Sequence, residues 1–224
     1  MNIAVSGYTA AGKTTHARLL AEEFGYENVW ASGLLLEKLG YDNADESHLW
    51  FERGAEIARK RDSNREIDSE VDRYLTQRAR DESSLVFDAR FLPWVSDSKC
   101  VRIWIESDLL ARARKCHGSL GNSSLSVEQC AVSIYQKDAL DIARMAMNSE
   151  AVFGPDRALF DIIVDNSGLT AYQDPVAAAR GIALCHDYLC AAVDAVANGN
   201  MDGLNRLRES NPGTFYDVVR CIRH

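Results

Sequence analysis

The chain has 224 residues, 46% of them hydrophobic, enough to bury one full core without requiring a second independent domain. Its formal charge of −8 argues against a broad basic surface for polymeric DNA or RNA, which rests on many Lys and Arg neutralising backbone phosphates. Any phosphate site must be local, which suits a small nucleotide.

Met1 to Ser6 is a strand-like apolar run that leads directly into a glycine loop, so no signal peptide is expected. No apolar run approaches the ~18 residues of a bilayer span, so a soluble, cytoplasmic protein with no membrane partner is expected. The six cysteines, Cys100, Cys116, Cys130, Cys185, Cys190 and Cys221, include no C-x-x-C pair and read as buried thiols of a reducing compartment. Cys116-His117 and Cys185-His186 are adjacent pairs that diverge on a helix, and no second pair lies at ligand spacing.

The first chemistry-bearing motif is Gly7-Tyr8-Thr9-Ala10-Ala11-Gly12-Lys13-Thr14, followed by Thr15 and a helical run. It matches G-x-x-x-x-G-K-[ST], the phosphate-binding loop. Glycines let backbone N–H groups turn inward, the helix N-terminus adds partial positive charge, and the lysine reaches the β- and γ-phosphates. Gly7, Ala10, Ala11, Gly12, Lys13, Thr14 and Thr15 are therefore expected to hold ATP or GTP, with the Thr14 hydroxyl on Mg²⁺.

Downstream, strand-like runs recur at Ile3–Ser6, Leu85–Asp88, Val101–Ile105 and Asp161–Val164, with a weaker one at Asn28–Ala31. Helical patterns separate them, which predicts a parallel sheet covered on both faces. Leu34–Leu39, Glu46–Arg61 and Ile67–Arg80 carry more helix than one crossover needs and read as an inserted helical subdomain spanning 33–82. Asp108–Cys116 and Val127–Met147 also read as helix, and the Gly/Ser/Asn-rich stretch Gly118–Ser126 between them has the composition of a mobile loop. Residues 117–150 thus suit a lid. Pro175–Ala197 reads as an alanine-rich helix ended by Asn198-Gly199-Asn200. The tail, 198–224, reads as two short amphipathic helices that either pack on the core of the 1–197 domain or form an oligomer contact, as a monomer or a homodimer.

From Met1 to about Val196 the chain resembles the cytidylate kinase-like branch of the nucleoside monophosphate kinases. Ala31-Ser32-Gly33 before an apolar helix resembles the start of that family's monophosphate-binding insertion. Glu66-Ile67-Asp68-Ser69-Glu70-Val71-Asp72-Arg73 is similar to its E-I-D-x-x-x-D helix, and Phe87-Asp88-Ala89-Arg90 to its [DE]-G-R. Ile103-Trp104-Ile105 with Arg112 resembles its I-W-L…V-R-A segment.

The resemblance implies an α/β P-loop kinase fold: a parallel five-stranded sheet flanked by helices, with a helical monophosphate-binding insertion and a lid. It implies ATP and Mg²⁺, and a small-molecule nucleotide as acceptor. By the same implication Ser32, Gly33, Asp88, Arg90 and Lys137 bind the acceptor, and Arg90 contacts its phosphate. Asp88 lies near Mg²⁺ through water, Arg112 and Arg144 join Lys13 in neutralising charge at the transfer site, and Asp165-Asn166-Ser167 lies by the adenine. Residues at the carboxyl ends of parallel strands line the ligand crevice, and Asp88 and Arg90 fall there.

Two departures bear on the acceptor. Glu37 stands where the family carries an arginine for the acceptor phosphate, and Leu34 where it carries an acid. A carboxylate about 4 Å from a phosphate charge costs about 4 kcal/mol at an effective dielectric near 20. In the lid, Lys137-Asp138 replaces the family's Arg-Glu, while Asp141 and Arg144 keep the later spacing. The expected activity is ATP-dependent phosphoryl transfer to CMP, dCMP or a modified relative. The alternatives are a P-loop kinase for another small phosphorylated or hydroxylated metabolite, and a nucleotide-binding regulator without turnover. Neither D-x-x-G after a second strand nor N-K-x-D is present, which disfavours a GTPase switch.

Overall fold

In the first strand, β1 (Asn2–Gly7), all six residues are buried, as a strand covered on both faces requires. The computed structural model describes residues 1–41, 46–64, 66–120, 125–148, 151–169 and 174–223. The chain continues through α1 (Lys13–Phe24), β2 (Glu27–Trp30), α2 (Ala31–Lys38), α3 (Glu46–Ser63) and α4 (Ile67–Asp81) to β3 (Leu85–Asp88) and α5 (Leu92–Val95). Then come β4 (Cys100–Glu106), α6 (Leu109–Ser119), α7 (Val127–Asn148), β5 (Ile162–Asp165) and α8 (Pro175–Asn198). The tail forms α9 (Asp202–Ser210), α10 (Pro212–Val218) and β6 (Val219–Ile222).

The sheet order is β2-β3-β1-β4-β5-β6. β1 pairs in parallel with β3 and β4, Ile3 lying opposite Val86 on one side and Val101 on the other. The chain leaves β1 toward one edge and returns to its other flank at β4. The carboxyl end of β1 is thus the switch point of an open parallel sheet, where ligands bind such folds. The sheet is mostly parallel and flanked by helices, with the helical insertion α2–α4 between β2 and β3.

Each face has its own core. Ala17, Leu20 and Ala21 of α1 and Tyr188, Leu189, Ala192 and Val193 of α8 pack over Ile3, Val5, Ile103 and Ile105. On the other face Ile67, Val71, Leu75 and Ala79, spaced by four along α4, cover Ala4, Leu85 and Phe87. A third cluster, Trp104, Phe153 and Phe160 with Tyr8, Phe91 and Trp94, lies where the loop after β1 meets the segment before β5.

Three expectations are corrected. The sheet has six strands, because β6 adds antiparallel to β5, Ile162 opposite Ile222. The sequence reading placed only helices in the tail because Val219–Ile222 is too short to display an alternating pattern. The tail packs on the core, with Leu204 and Val218 buried in the main cluster. Finally, α8 is by length and composition apolar enough to cross a membrane, where the sequence reading found no such run. Its apolar character has an internal use, since Cys185, Tyr188, Leu189, Ala192, Val193 and Ala195 are buried. Of the Gly118–Ser126 loop, residues 121–124 lie outside the described residues.

Candidate active site

The loop between β1 and α1 is shaped by close backbone approach. Gly7 has φ 150°, and a Cβ there would lie 2.5 Å from the Ile105 carbonyl oxygen of β4, so no side chain fits. Gly12 turns with φ 102°, and Ala10 takes the left-handed region at φ 59°. Such conformations in a residue with a Cβ cost about 1–3 kcal/mol and persist where the surroundings enforce them. The Ala11 N–H donates to the Tyr8 carbonyl at 3.2 Å, closing the turn. Lys13 lies across the mouth of the loop and donates to the same carbonyl at 2.7 Å.

Behind the loop stands a polar brace. Asn166 donates to the Ala11 carbonyl at 2.9 Å, and Lys115 donates to Ala11 at 3.2 Å and to the Ser107 hydroxyl at 3.0 Å. Burial lowers the Lys115 ammonium to about 8. Asn166, expected beside adenine, thus contacts the phosphate loop itself. Lys115 escaped the sequence reading, although it lies one turn beyond Arg112 on the same face of α6.

At the end of β3, Asp88 accepts from the Thr14 hydroxyl at 2.6 Å. Its carboxyl is pushed up by burial, against the opposing influence of Lys13, the Thr14 hydrogen bond, Arg90 and Lys137. The structure therefore brings Lys13, Thr14, Asp88, Arg90 and Lys137 together. β2 runs alongside with Trp30 opposite Asp88, so Ser32 and Gly33, which open α2, start at the same edge. Gly33 is dictated by Trp30, since a Cβ there would fall 2.2 Å from the indole.

Helix α7 presents one face to the site. Lys137, Asp138, Asp141 and Arg144 recur at helical spacing, and Asp138 and Asp141 are buried. The Thr9 N–H donates to Asp138 at 2.9 Å. Arg112, 7% exposed, donates to the Thr9 carbonyl at 3.0 Å, to the Ser107 carbonyl at 3.1 Å and to Asp138 at 2.5 Å. It is thus a strut between α6, the phosphate loop and α7, and its guanidinium also lies 5.2 Å from the Tyr8 ring centroid. Arg90 donates to the Thr9 hydroxyl at 3.1 Å and pairs with Asp141. Asp141 also pairs with Arg144 at 3.6 Å. Sequence reading noted Asp138 and Asp141 only by their spacing, because their partners Arg112, 26 residues earlier, and Arg90 lie on other segments of the chain.

Glu37 is exposed on α2, and its neighbour Lys38 is held by Glu70 of α4 at 2.9 Å. The Glu37 carboxylate therefore faces water.

Comparison with known proteins agrees with this geometry. The chain is 26% identical over 193 residues to the cytidylate kinase of Thermococcus kodakarensis, covering 86% of this chain and 91% of that protein. It is 28% identical over 165 residues to the cytidylate kinase of Pyrococcus furiosus, covering 74% and 79%. The chain is a nucleoside monophosphate kinase-like phosphotransferase. No family model matches the kinase. An uncharacterized protein from Eubacterium ventriosum, solved by crystallography, superposes on the kinase with a TM-score of 0.56 at 14% identity, over 87% of this chain and 99% of that one. That is a likeness of fold.

Proposed function

We propose that the kinase transfers the γ-phosphoryl group of ATP to a pyrimidine nucleoside monophosphate, CMP, dCMP or a modified relative, releasing the diphosphate and ADP. The observation that carries this reading is one crevice edge with two differently built ends. At one end lie the loop and Lys13; at the other lies the chain Thr9–Arg90–Asp141–Arg144. The similarity to archaeal cytidylate kinases supports the pyrimidine acceptor.

In this reading an oxygen of the acceptor phosphate forms the new P–O bond as the bond between the γ-phosphorus and the β–γ bridging oxygen breaks, leaving ADP. Such a reaction depends on positioning and on cations around the charge that is redistributed. Lys13 leaves the Tyr8 carbonyl for the β- and γ-phosphates, the backbone amides of Gly7 to Thr15 hold the remaining oxygens, and Arg90 and Arg144 orient the acceptor. Lys137 adds charge beside Asp88, and Ser32 with Gly33 lines the acceptor's entrance. Arg112 acts by holding Thr9 and Asp138 in place.

The Thr14 hydroxyl and the Asp88 carboxylate form an all-oxygen pair of the kind hard cations prefer, and a buried carboxylate gains from a cation. With so few protein ligands the pair fits Mg²⁺, whose remaining positions go to substrate phosphates and water. The metal would neutralise phosphate charge there.

All six cysteines are free thiols, which supports the cytoplasm as the working compartment. An ADP-release assay across the common and base-modified monophosphates tests the reading. Acceptor-dependent release with a pyrimidine monophosphate is expected, and ATP binding without any acceptor-dependent release would overturn it.

A further inference from the structure

The insertion raises a question that the family resemblance leaves open: which cation meets the acceptor phosphate if α2 supplies none? Glu37 is exposed, and Lys38 is held by Glu70. At the far end of α3, Arg61 is only 8% exposed although it ends a helix in a polar insertion. Its Nε and Nη2 both donate to one oxygen of Asp68 on α4, at 3.1 and 2.8 Å, which fixes the plane of the guanidinium.

Its surroundings join it to the lid. Asp62, the next residue, pairs with Arg144 at 3.7 Å, and Arg144 reaches Asp141, which pairs with Arg90. A continuous polar chain therefore runs from Thr9 of the phosphate loop through Arg90, Asp141 and Arg144 to the end of α3. Arg61 and Arg144 stand close enough that the charge of Arg61, after burial, is the next influence pulling the Arg144 guanidinium downward. Two guanidiniums from separate segments, Arg61 buried and Arg144 partly buried, repel one another, and an anion between them turns that repulsion into attraction on both sides. Arginine's planar fork suits the oxygens of a phosphate monoester, and an arginine already oriented by a carboxylate loses little freedom on binding one.

We propose that Arg61 reads the acceptor phosphate in this chain, a role moved from α2 to the end of α3, with Asp68 as its positioning residue. Arg61 and Arg144 then grip the phosphate from the insertion and the lid, and Arg90 does so from the sheet. Glu37 is released to the solvent face. The inference rests on the phosphorylated-acceptor reading above and adds the residue that recognises the charge.

Steady-state kinetics with the acceptor that the wild-type chain turns over best, and ATP varied separately, test it. Arg61→Met is expected to raise the acceptor KM roughly 10- to 100-fold, the range for losing charge-assisted hydrogen bonds. The ATP KM stays within about twofold, Arg61→Lys recovers part of the loss, and Glu37→Ala leaves the acceptor KM unchanged. Arg61→Met combined with Asp68→Asn, which leaves no unpaired, partly buried carboxylate, keeps the acceptor defect while restoring the thermal midpoint. An acceptor KM within twofold of wild type in Arg61→Met, or equal rises in the KM values for acceptor and ATP, overturns the assignment. So does a defect that disappears in the double variant. If no monophosphate is turned over, the acceptor reading fails on its own. Arg61 is then decided by thermal unfolding of the ADP-loaded chain with inorganic phosphate: stabilisation lost in Arg61→Met supports it, and equal stabilisation in both chains overturns it.

Discussion

The two ends of the crevice are built by different means. The phosphate loop is contiguous, Gly7 to Thr15, and is specified by backbone geometry: Gly7 against Ile105, Gly12 and Ala10 at positive φ, and the Ala11 carbonyl pinned by Asn166 and Lys115. The other end, proposed to take the acceptor, is assembled from side chains of α3, the segment after β3 and α7, with Arg61, Arg90 and Arg144 brought near one another only by folding. A site held by backbone tolerates little change in sequence. One held by side chains can exchange its readers between helices, which is what the proposal for Arg61 requires.

The largest effect expected from breaking that contrast lies at the loop. Lys13→Ala removes the lysine proposed to reach the transferred group, so kcat should fall about 10²- to 10³-fold, the range for deleting one donor to a developing charge. Far-ultraviolet circular dichroism should stay unchanged, because Lys13 is bonded to a carbonyl at the mouth of the loop and lies outside the core. Single-turnover transfer close to wild type would remove the loop from the chemistry.

Next comes the joint between the two ends. Asp138 ties α7 to the Thr9 N–H and neutralises the buried Arg112. Asp138→Ala strands that guanidinium, and breaking a buried pair on one side costs about 3–5 kcal/mol. The carbonyls of Thr9 and Ser107 still accept from Arg112, so a loss near the lower figure is expected in urea titration. The ATP KM should rise more than the acceptor KM, since Thr9 belongs to the loop. A chain as stable as wild type would mean that Asp138 does not bind the lid to the loop.

How far each end was legible follows from the same contrast. The loop could be read because its geometry demands particular residues at fixed spacing within one short segment. The strands could be read because burial on both faces makes them continuous apolar runs, Leu85–Asp88 being recovered with its observed bounds. β6 could not, since four residues with one exposed carry no usable period. Arg61 and Asp138 could not, because an arginine or an aspartate on a charged helix looks the same in sequence whether it faces water or a partner 26 residues away. Gly33 was legible as a glycine, but its reason was not: it makes room for Trp30, three residues earlier.

The smallest effect tests the support behind the loop. His16, on the first turns of α1, is buried, and a Cβ on Gly12 would lie 3.6 Å from its ring. Burial, then the charges of His186 and Lys115, lowers its imidazolium from 6.5 to about 3. A folded-state value below the unfolded one means that stability from neutral His16 is complete above pH 6.5 and is lost as the pH falls toward about 3. Within that window the unfolded chain binds up to one more proton, a limiting slope of about 1.4 kcal/mol per pH unit. Asp72 works in the opposite direction. Burial, then Asp68, raises its carboxyl to about 6, so its contribution is present below 3.8 and is lost as the pH rises through about 6. The wild-type acid limb therefore mixes the two, and the difference between wild type and His16→Gln isolates the histidine. Urea midpoints from pH 7 to pH 4 should fall more steeply for wild type, while His16→Gln retains the rising contribution of Asp72. Parallel curves would show that His16 takes up its proton without loosening the helix that carries the loop.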